Sequence, residues 1–401
     1  MIVKPMVRSN MCLNAHPIGC AKEVERQIEY VLTQKAKRAE TALKTPKAAL
    51  VLGCSTGYGL ASRISAAFEY GAATIGVSFE KAGQETKSGT PGWYNNLAFD
   101  RAAKKAGISA LTFSDKDAFS NETRTLVIEA AKKMGLKFDL VVYSLASPVR
   151  TDPETGVLYK SVLKPFGKTY SGETVDFFTG KITTISAEPA NEDEAAQTVK
   201  VMGGEDWELW MNALSAAGLL SSGCTTVAYS YIGPALSHAI YRNGTIGGSK
   251  KHLEATARKL DKTLGDTLGG RAFVSVNKGL VTRSSAVIPI IPLYLAVLFK
   301  VMKEKGTHEG CIEQMERLFA ERLYTKDGKV PVDSDNLIRI DEREMDSAIQ
   351  AEVTKRMATV NEGNLETTTD VQGYKHDFLC ANGFDVDGVD YDADVPRMDE
   401  I

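Results

Sequence analysis

The sequence predicts an α/β protein with a doubly wound parallel sheet. Four unbroken apolar runs in its N-terminal part have the composition of strands that are buried on both faces. Helical stretches lie between these runs, and such alternation is typical of a parallel sheet with helices on both sides. A glycine-rich turn directly follows the first run, at the position where sheets of this class bind their ligands.

The predicted elements follow in order along the chain. Residues 22–43 carry Val24, Ile28 and Val31 at near-helical spacing, which predicts an amphipathic helix. The apolar runs predict strands at 48–53, 73–79, 108–113, 138–146, 225–232 and 271–276. Helices are predicted at 60–70, 95–106, 121–134, 192–201, 205–217 and 245–264, and the last third of the chain is predicted to be helical up to residue 357.

Composition and charge exclude several classes of protein. The 48 Lys and Arg residues against 51 Asp and Glu residues give a net charge of −3, which argues against a strongly basic nucleic-acid binder and an acidic disordered chain. The six cysteines form no C-x-x-C pair and the five histidines have no ligand spacing, so we expect reduced thiols and no metal site. The chain opens with no signal-peptide core, and its longest apolar run, 286–299, is too short to span a bilayer. We therefore expect a cytoplasmic protein without a membrane span.

The turn Gly53-Cys-Ser-Thr-Gly57-Tyr-Gly59 links the first predicted strand to a helix. A dinucleotide pyrophosphate needs backbone N–H groups at a helix N-terminus with no Cβ in the way, and glycine also permits a positive φ. The G-x-x-x-G-x-G spacing is typical of the short-chain reductase branch of Rossmann folds. A purely structural turn is the alternative. The cofactor-binding residues expected here are Gly53, Cys54, Ser55, Thr56, Gly57 and Tyr58.

Further cofactor contacts are expected where the next strands end. Phe79 and Glu80 close the second strand, and an acidic side chain there can bind the ribose hydroxyls and repel a 2′-phosphate, which favours NADH over NADPH. A solvated strand-end glutamate is the alternative, and the adjacent Lys81 leaves some use of NADPH open. Asp117 and Ala118 after the third strand, and Leu145 and Ala146 after the fourth, are expected beside the adenine and the nicotinamide ribose.

A tyrosine–lysine pair follows the fifth predicted strand. In short-chain reductases a tyrosine hydroxyl donates to the substrate oxygen that becomes negative, and a lysine favours this by its charge. None of the 14 tyrosines has a lysine four residues later, and Ala228 stands 13 residues before Tyr241, where a simple ketone reductase has its serine. Tyr241 and Lys250 are instead separated by eight residues, which leaves room beside the nicotinamide for a conjugated thioester.

These motifs identify a family. The chain resembles, end to end, the trans-2-enoyl-CoA reductases and the related FabV-type enoyl-acyl-carrier-protein reductases, through MIVKPMVR, NAHPIGC, LGCSTGYGLASR, GVSFEKAG, TPGWYNNLAFD, YSLASPVRTDP, AEPANEDEAA, AYSYIGP, YRNGTIGGSKKHLE and SVNKGLVTRSSAVIP. It departs from relatives at Ala235 and at Gly248-Ser249, where they often carry larger or charged residues, so the preferred chain length could differ.

The resemblance implies an extended Rossmann fold with N- and C-terminal extensions, NADH as the hydride donor, Tyr241 as the proton donor and Lys250 beside the cofactor. Tyr231 would be a second active-site tyrosine. Leu280, Val281 and Thr282 would hold the nicotinamide amide. Ile291, Leu295 and Phe299 would line an acyl pocket on one helical face, with Tyr374 near its mouth, although plain core packing is the alternative for each of them.

The expected activity is NADH-dependent reduction of the C2–C3 double bond of a trans-2-enoyl-CoA to an acyl-CoA, as in fatty acid synthesis. The same reaction on an enoyl-acyl-carrier-protein, a non-catalytic NAD-binding sensor and a flavin-dependent reductase are the alternatives. By length, 401 residues suggest two or three domains at about 150 residues each. The motif order instead favours one domain over 1–401, acting as a monomer or homodimer. It would have a Rossmann core at 46–305, a loop and hairpin insertion over the active site at 147–190 and a helical extension at 306–401.

Overall fold

A computed structural model describes residues 2–8, 10–38, 44–283, 285, 288 and 291–396. The last part of the first predicted helix, 39–43, lies outside the described residues, as does most of 284–290. In chain order the strands are β1 (Val7–Arg8), β2 (Met11–Cys12), β3 (Ala48–Leu52), β4 (Ala73–Val77), β5 (Ala110–Phe113), β6 (Phe138–Tyr143), β7 (Val149–Thr151), β8 (Leu158–Lys160), β9 (Tyr170–Val175), β10 (Ile182–Ala187), β11 (Leu220–Ser230), β12 (Arg271–Val276) and β13 (Leu337–Arg339). The helices are α1 (Pro17–Lys37), α2 (Gly57–Ile64), α3 (Pro91–Lys105), α4 (Asn121–Lys133), α5 (Glu192–Met202), α6 (Glu205–Ala216), α7 (Thr245–Leu268), α8 (Ile291–Glu304), α9 (Cys311–Leu318), α10 (Ser347–Met357), α11 (Leu365–Thr368) and α12 (Val371–Cys380).

Seven of these strands form one sheet in the order β13-β12-β11-β6-β3-β4-β5, and every pairing in it is parallel. The central strand β3 shows why its sequence is apolar throughout. Leu50 and Leu52 face one core, which contains Trp207 and Trp210, while Ala49 and Val51 face the core on the other side. The predicted doubly wound Rossmann sheet is confirmed.

The ends of several elements differ from the prediction. Helix α1 begins at Pro17 because the His16 side chain accepts from the Gly19 amide and caps it, a signal that apolar spacing does not carry. Helix α2 continues as a π-helix over Ser65–Glu69. The segment 147–190 forms the two antiparallel hairpins β7–β8 and β9–β10, as expected of an insertion with hairpins.

The C-terminal segment is the main correction. It was expected to be only helical, with helices to residue 357, but it supplies the seventh strand, β13, as well as α11 and α12. A strand of three residues is too short to give a periodic signal, and it is stable here because β12 provides its hydrogen-bonding partner. Within the described residues, no helix has the length and apolar character to cross a membrane.

Parallel strands place all their carboxyl ends at one edge, and a tight turn at Gly53 begins the site there. Gly53 has a φ of +84°, and a Cβ on it would lie 2.1 Å from the Ser144 carbonyl oxygen beyond β6. On α2, a Cβ at Gly59 would lie 1.9 Å from the Gly53 carbonyl oxygen. Close approach of helix to turn therefore requires glycine at both positions.

We predict that Gly59→Ala lowers the free energy of unfolding by about 1–3 kcal/mol, because the added methyl group overlaps a backbone oxygen that cannot move freely. Gly265→Ala is the matched control in a helix, since its Cβ would have no neighbour nearer than 3.8 Å. It should raise stability by roughly 0.5–1 kcal/mol. Urea unfolding of the two variants measures the difference, and equal effects would contradict the packing argument.

Candidate active site

A cavity of about 1370 Å³ opens at the carboxyl edge of the sheet. Its walls come from the turn after β3, from the residues that follow β4, β6, β11 and β12, and from the start of α8. Part of the insertion closes another side, since Val149, Arg150 and Thr151 of β7 line the cavity. This is where an open α/β sheet binds its ligand, because the strand ends present their loops together.

The structure brings most of the predicted site residues to this one cavity. Those that line it are Gly53, Ser55, Thr56, Gly57, Tyr58, Phe79, Glu80, Asp117, Ala118, Leu145, Ala146, Tyr231, Tyr241, Lys250, Leu280, Val281, Thr282, Ile291 and Leu295. The first and last of them, Gly53 and Leu295, are 242 positions apart in the sequence, yet all of them line one concave surface.

Three predicted site residues lie outside the lining. The Cys54 thiol is buried against Asn96, 3.7 Å from its Oδ1. Phe299 stands eight residues from Ile291 on α8, about 12 Å along the helix axis, and packs on His308. Tyr374 is fully buried with its ring 6.5 Å from that of Phe299. These three side chains therefore do not form part of the cavity surface, and their contact with a ligand stays a prediction.

The glycine turn is suited to a pyrophosphate. Gly53 and Gly57 have positive φ values of 84° and 53°, and α2 begins at Gly57. Thr56 occupies the N-cap position, but its side chain makes no capping hydrogen bond. The first amides of α2 therefore lie at the cavity with their donors uncapped by this side chain, and the helix dipole favours an anion there. These residues fit the phosphates of a dinucleotide.

Glu80 lies beside this turn and is buried, with only 8% of its surface exposed. Its Oε1 accepts from the Ser55 hydroxyl at 2.7 Å, and the Arg283 guanidinium lies 3.2 Å from Oε2. A Cβ at Gly92 would lie 2.2 Å from Oε1, so the carboxylate is closely packed. The solvated strand end considered as an alternative does not describe this residue. Its neighbour Phe79, in contrast, exposes 74% of its surface at the cavity.

The loop that follows β5 carries Asp117 and Ala118, and two hydrogen bonds hold it in place. The Asp117 side chain accepts from the Phe119 amide at 2.9 Å, which fixes the loop after β5. The Ala118 carbonyl oxygen accepts from the Trp210 indole N–H at 2.9 Å, so the loop is also anchored to the core. The cavity wall in this region is therefore rigid on its inner side.

Tyr231 and Tyr241 meet edge to face, with ring centroids 5.2 Å apart and an interplanar angle of 71°. The Tyr231 hydroxyl donates to Glu344 Oε1 at 3.0 Å. Among the described residues, no side chain or backbone group hydrogen-bonds the Tyr241 hydroxyl. Burial raises the pKa of both phenols, so each is a protonated donor at neutral pH.

Lys250 lies in the second turn of α7 and points to the same cavity. Its ammonium donates to the Tyr229 carbonyl oxygen at 3.2 Å. Burial lowers the pKa of Lys250 to about 8, and the nearby Glu254 carboxylate opposes this only in part. The amine therefore carries its charge at neutral pH and loses it under mildly alkaline conditions.

The sequence reading missed the groups behind the tyrosines. Glu344 is fully buried, and its carboxylate accepts from Tyr231, from the Tyr294 hydroxyl at 2.7 Å and from the Gly279 amide at 2.6 Å. Lys278 is also buried and lines the cavity, and burial lowers its pKa to about 8. Glu344 follows β13 at the carboxyl edge of the sheet. If β13 had been predicted from the sequence, an acidic residue in this position would have indicated a site residue.

Comparison with known proteins agrees with this geometry. A family model described as the trans-2-enoyl-CoA reductase catalytic region matches residues 87–324, and one described as the NAD(P)H binding domain of trans-2-enoyl-CoA reductase matches residues 2–85. The chain belongs to the trans-2-enoyl-CoA reductase family. The resemblance inferred from the motifs is thereby confirmed.

Individual relatives cover the whole chain. The trans-2-enoyl-CoA reductase (NADH) of Treponema denticola is 66% identical over 401 residues, which is 100% of both chains. The crystal structure of the Treponema denticola reductase in complex with NAD superposes with a TM-score of 0.97 over 100% of both chains. An enoyl-acyl-carrier-protein reductase (NADH) of Cytophaga hutchinsonii is 53% identical over 98% of each chain. The chain therefore shares the fold of the Treponema denticola reductase over all of the compared length.

A third family model, described as an enoyl reductase FAD binding domain, matches residues 332–395. The turn from β13 to α10 in this reductase contains Asp341, Glu342, Glu344 and Asp346 and no glycine. Carboxylates in this position oppose a pyrophosphate, and Gly383 farther on is packed against the His16 carbonyl oxygen, which a Cβ would approach to 2.4 Å. The turn from β13 to α10 therefore lacks the glycine-rich helix start that a flavin dinucleotide would need there.

Proposed function

We propose that the protein reduces the C2–C3 double bond of a trans-2-enoyl-CoA with NADH, giving an acyl-CoA. One observation carries the proposal: the Tyr241 hydroxyl, which has no hydrogen-bond partner in the described part of the chain, and the Lys250 ammonium line the same cavity as the glycine turn that fits a pyrophosphate. The names of the full-length relatives, which include trans-2-enoyl-CoA reductase (NADH), support the same activity.

When bound, NADH supplies a hydride for C3 of the enoyl thioester. The residues of this chain act on the charge that then develops on the thioester oxygen. The Tyr241 hydroxyl donates to that oxygen, and burial strengthens this hydrogen bond because little water competes for it. The Lys250 ammonium keeps the local potential positive and holds the cofactor ribose. The electron pair of the enolate then takes up one proton at C2, so the double bond gains one hydride and one proton in all, with NAD⁺ as the other product.

The apolar side of the cavity fits the acyl part of such a substrate. Leu280, Ile288, Ile291 and Leu295 line it together, near the two tyrosines. An aliphatic chain gains about 0.8 kcal/mol for each methylene group that these side chains remove from water. The pocket therefore favours a hydrophobic enoyl group over a polar one.

Replacement of Tyr241 by Phe tests the proton donor. We expect kcat for crotonyl-CoA to fall by roughly 100-fold or more, because the developing negative charge loses its donor in a site with little water. The Kd of NADH should change by less than about threefold, since the ring and its packing remain. Loss of NADH absorbance with crotonyl-CoA measures the rate, and a variant within a few-fold of the natural enzyme would exclude this role.

Replacement of Glu80 by Gln tests cofactor choice. The amide keeps the shape and can still meet Ser55, but the negative charge that opposes a 2′-phosphate is lost while Arg283 remains. We expect kcat/KM with NADPH relative to NADH to rise by about tenfold. Glu129→Gln, on the exposed face of α4, is the matched control and should leave the ratio unchanged.

The pKa of Lys250 gives a pH prediction. Below about pH 8 the amine is charged and attracts the anionic cofactor, and above that value the charge is lost. The Kd of NADH should therefore increase by roughly fivefold from pH 7 to pH 9. Lys250→Arg retains its charge over this range, so its Kd should vary less. Fluorescence titration at each pH compares the two proteins, and parallel curves would contradict the assignment.

Reduction of an enoyl-acyl-carrier-protein is the second candidate, favoured by relatives of this name at 53% identity. Carrier proteins are acidic and dock through complementary charge, whereas a CoA thioester enters by its own nucleotide. Values of kcat/KM for crotonyl-CoA and for the matched crotonyl carrier protein decide between them. A protein that binds NADH but reduces neither thioester would instead be a sensor.

We also propose a domain organisation, an oligomeric state and a cellular location for the chain. Helix α1 packs on α3, and α12 packs on α8, so both terminal extensions join the central fold in a single domain. The 1–401 chain would act as a monomer or homodimer in the cytoplasm. Its molar mass by light scattering, against 43.5 kDa for one chain, tests the oligomeric state.

A further inference from the structure

A buried carboxylate, Glu344, stands behind the two active-site tyrosines and is not part of the cavity wall. Its Oε1 accepts from the hydroxyls of Tyr231, at 3.0 Å, and Tyr294, at 2.7 Å. Its Oε2 accepts from the Gly279 amide at 2.6 Å. Full burial of a charged group is costly, so a position of this kind needs complete hydrogen bonding.

The hydrogen bonds define what Glu344 does to its neighbours. An amide N–H can only donate, and the two phenols each have one proton to give, so an ionised carboxylate satisfies all three partners at once. Lys278 brings a buried ammonium into the same region, where it donates to the Gly279 carbonyl oxygen at 3.1 Å. Burial raises the pKa of the Glu344 carboxyl, and the Lys278 charge and the hydrogen bonds from Gly279, Tyr294 and Tyr231 oppose this change.

This arrangement gives the two neighbouring tyrosines different roles. Tyr231 directs its single proton to Glu344, so its oxygen offers only lone pairs elsewhere. Tyr241, whose ring lies 5.2 Å away, has no such acceptor among the described residues. Its proton is the one that remains available to a ligand in the cavity.

We propose that Glu344 is a positioning residue that acts through Tyr231. By holding the Tyr231 proton away from the cavity, it leaves Tyr241 as the tyrosine that donates to the thioester oxygen. The inference rests on the proposed reductase function and deepens it, because it explains which of two adjacent phenols is the donor.

The sheet order makes this contact possible. Tyr231 follows β11, Gly279 follows β12 and Glu344 follows β13, and these three strands are neighbours in the sheet. Tyr294 comes from α8, the helix that also carries Ile291 and Leu295. The carboxylate thus connects the ends of three strands and one helix directly behind the reacting groups.

Glu344→Gln is the decisive variant. One amide oxygen can still accept from Gly279, but the amide NH₂ then faces the two phenols as a donor, so the Tyr231 proton turns towards the cavity. We expect kcat for crotonyl-CoA to fall by roughly 10- to 100-fold, with KM and the Kd of NADH within about threefold. Glu309→Gln removes a buried carboxylate that is bound by Arg317 and contacts neither tyrosine, and it should leave kcat within about twofold.

A double-variant cycle separates positioning from a merely structural role. If Glu344 acts through Tyr231, the combination of Glu344→Gln with Tyr231→Phe should have the same kcat as Tyr231→Phe alone, within about twofold. Losses that multiply, or a Glu344→Gln variant with unchanged kcat, would overturn the proposal. If Glu344→Gln does not fold, Glu344→Asp enters the same cycle, because the shorter carboxylate cannot keep all its partners. Failure of the natural enzyme to reduce crotonyl-CoA would instead reject the proposed function.

Discussion

Parallel pairing of seven strands is the constraint on which the rest of this structure depends. It directs every strand to end at the same edge, so loops that are far apart in sequence form one cavity. It also buries both faces of the sheet, which is why β3 consists only of Ala, Leu and Val and divides its side chains between two cores. The parallel direction of the strands therefore determines both the buried sheet and the position of the cavity.

Removal of polar groups from water determines the chemistry at that edge. Burial raises the pKa of the Tyr241 phenol and lowers that of the Lys250 amine, so both move away from their charged forms. Each change suits the proposed reaction, since the phenol keeps a proton to donate and the amine still has its charge at neutral pH. Glu344 and Lys278 are both buried, and each has hydrogen-bonding partners that offset part of the cost of removing a charged group from water.

Long apolar patterns in the sequence predicted their strands and helices better than short patterns did. Most strands of five or six apolar residues and most helices of ten or more were predicted close to their observed positions, whereas β13, with three residues, and α12, beyond residue 357, were missed. The resemblance implied Phe299 and Tyr374 as pocket residues, and the spacing of four placed Phe299 on the same helical face as Leu295. Spacing defines a face and not the depth along a helix, and neither ring lines the cavity. The position of Tyr374 depends on how α12 packs on α8.

By itself the sequence determined the parallel sheet, the glycine turn at its first strand end, the reductase family and the presence of Tyr241 and Lys250 at one cavity. These features depend on local composition, on fixed spacing or on strand order along the chain. The structure alone decided that Glu344 reaches Tyr231 across 113 positions, and that of these two neighbouring tyrosines Tyr241 is the one whose hydroxyl has no partner among the described residues. That contact depends on β13 lying beside β12, and hydrogen bonding between distant segments leaves no periodic pattern in either of them.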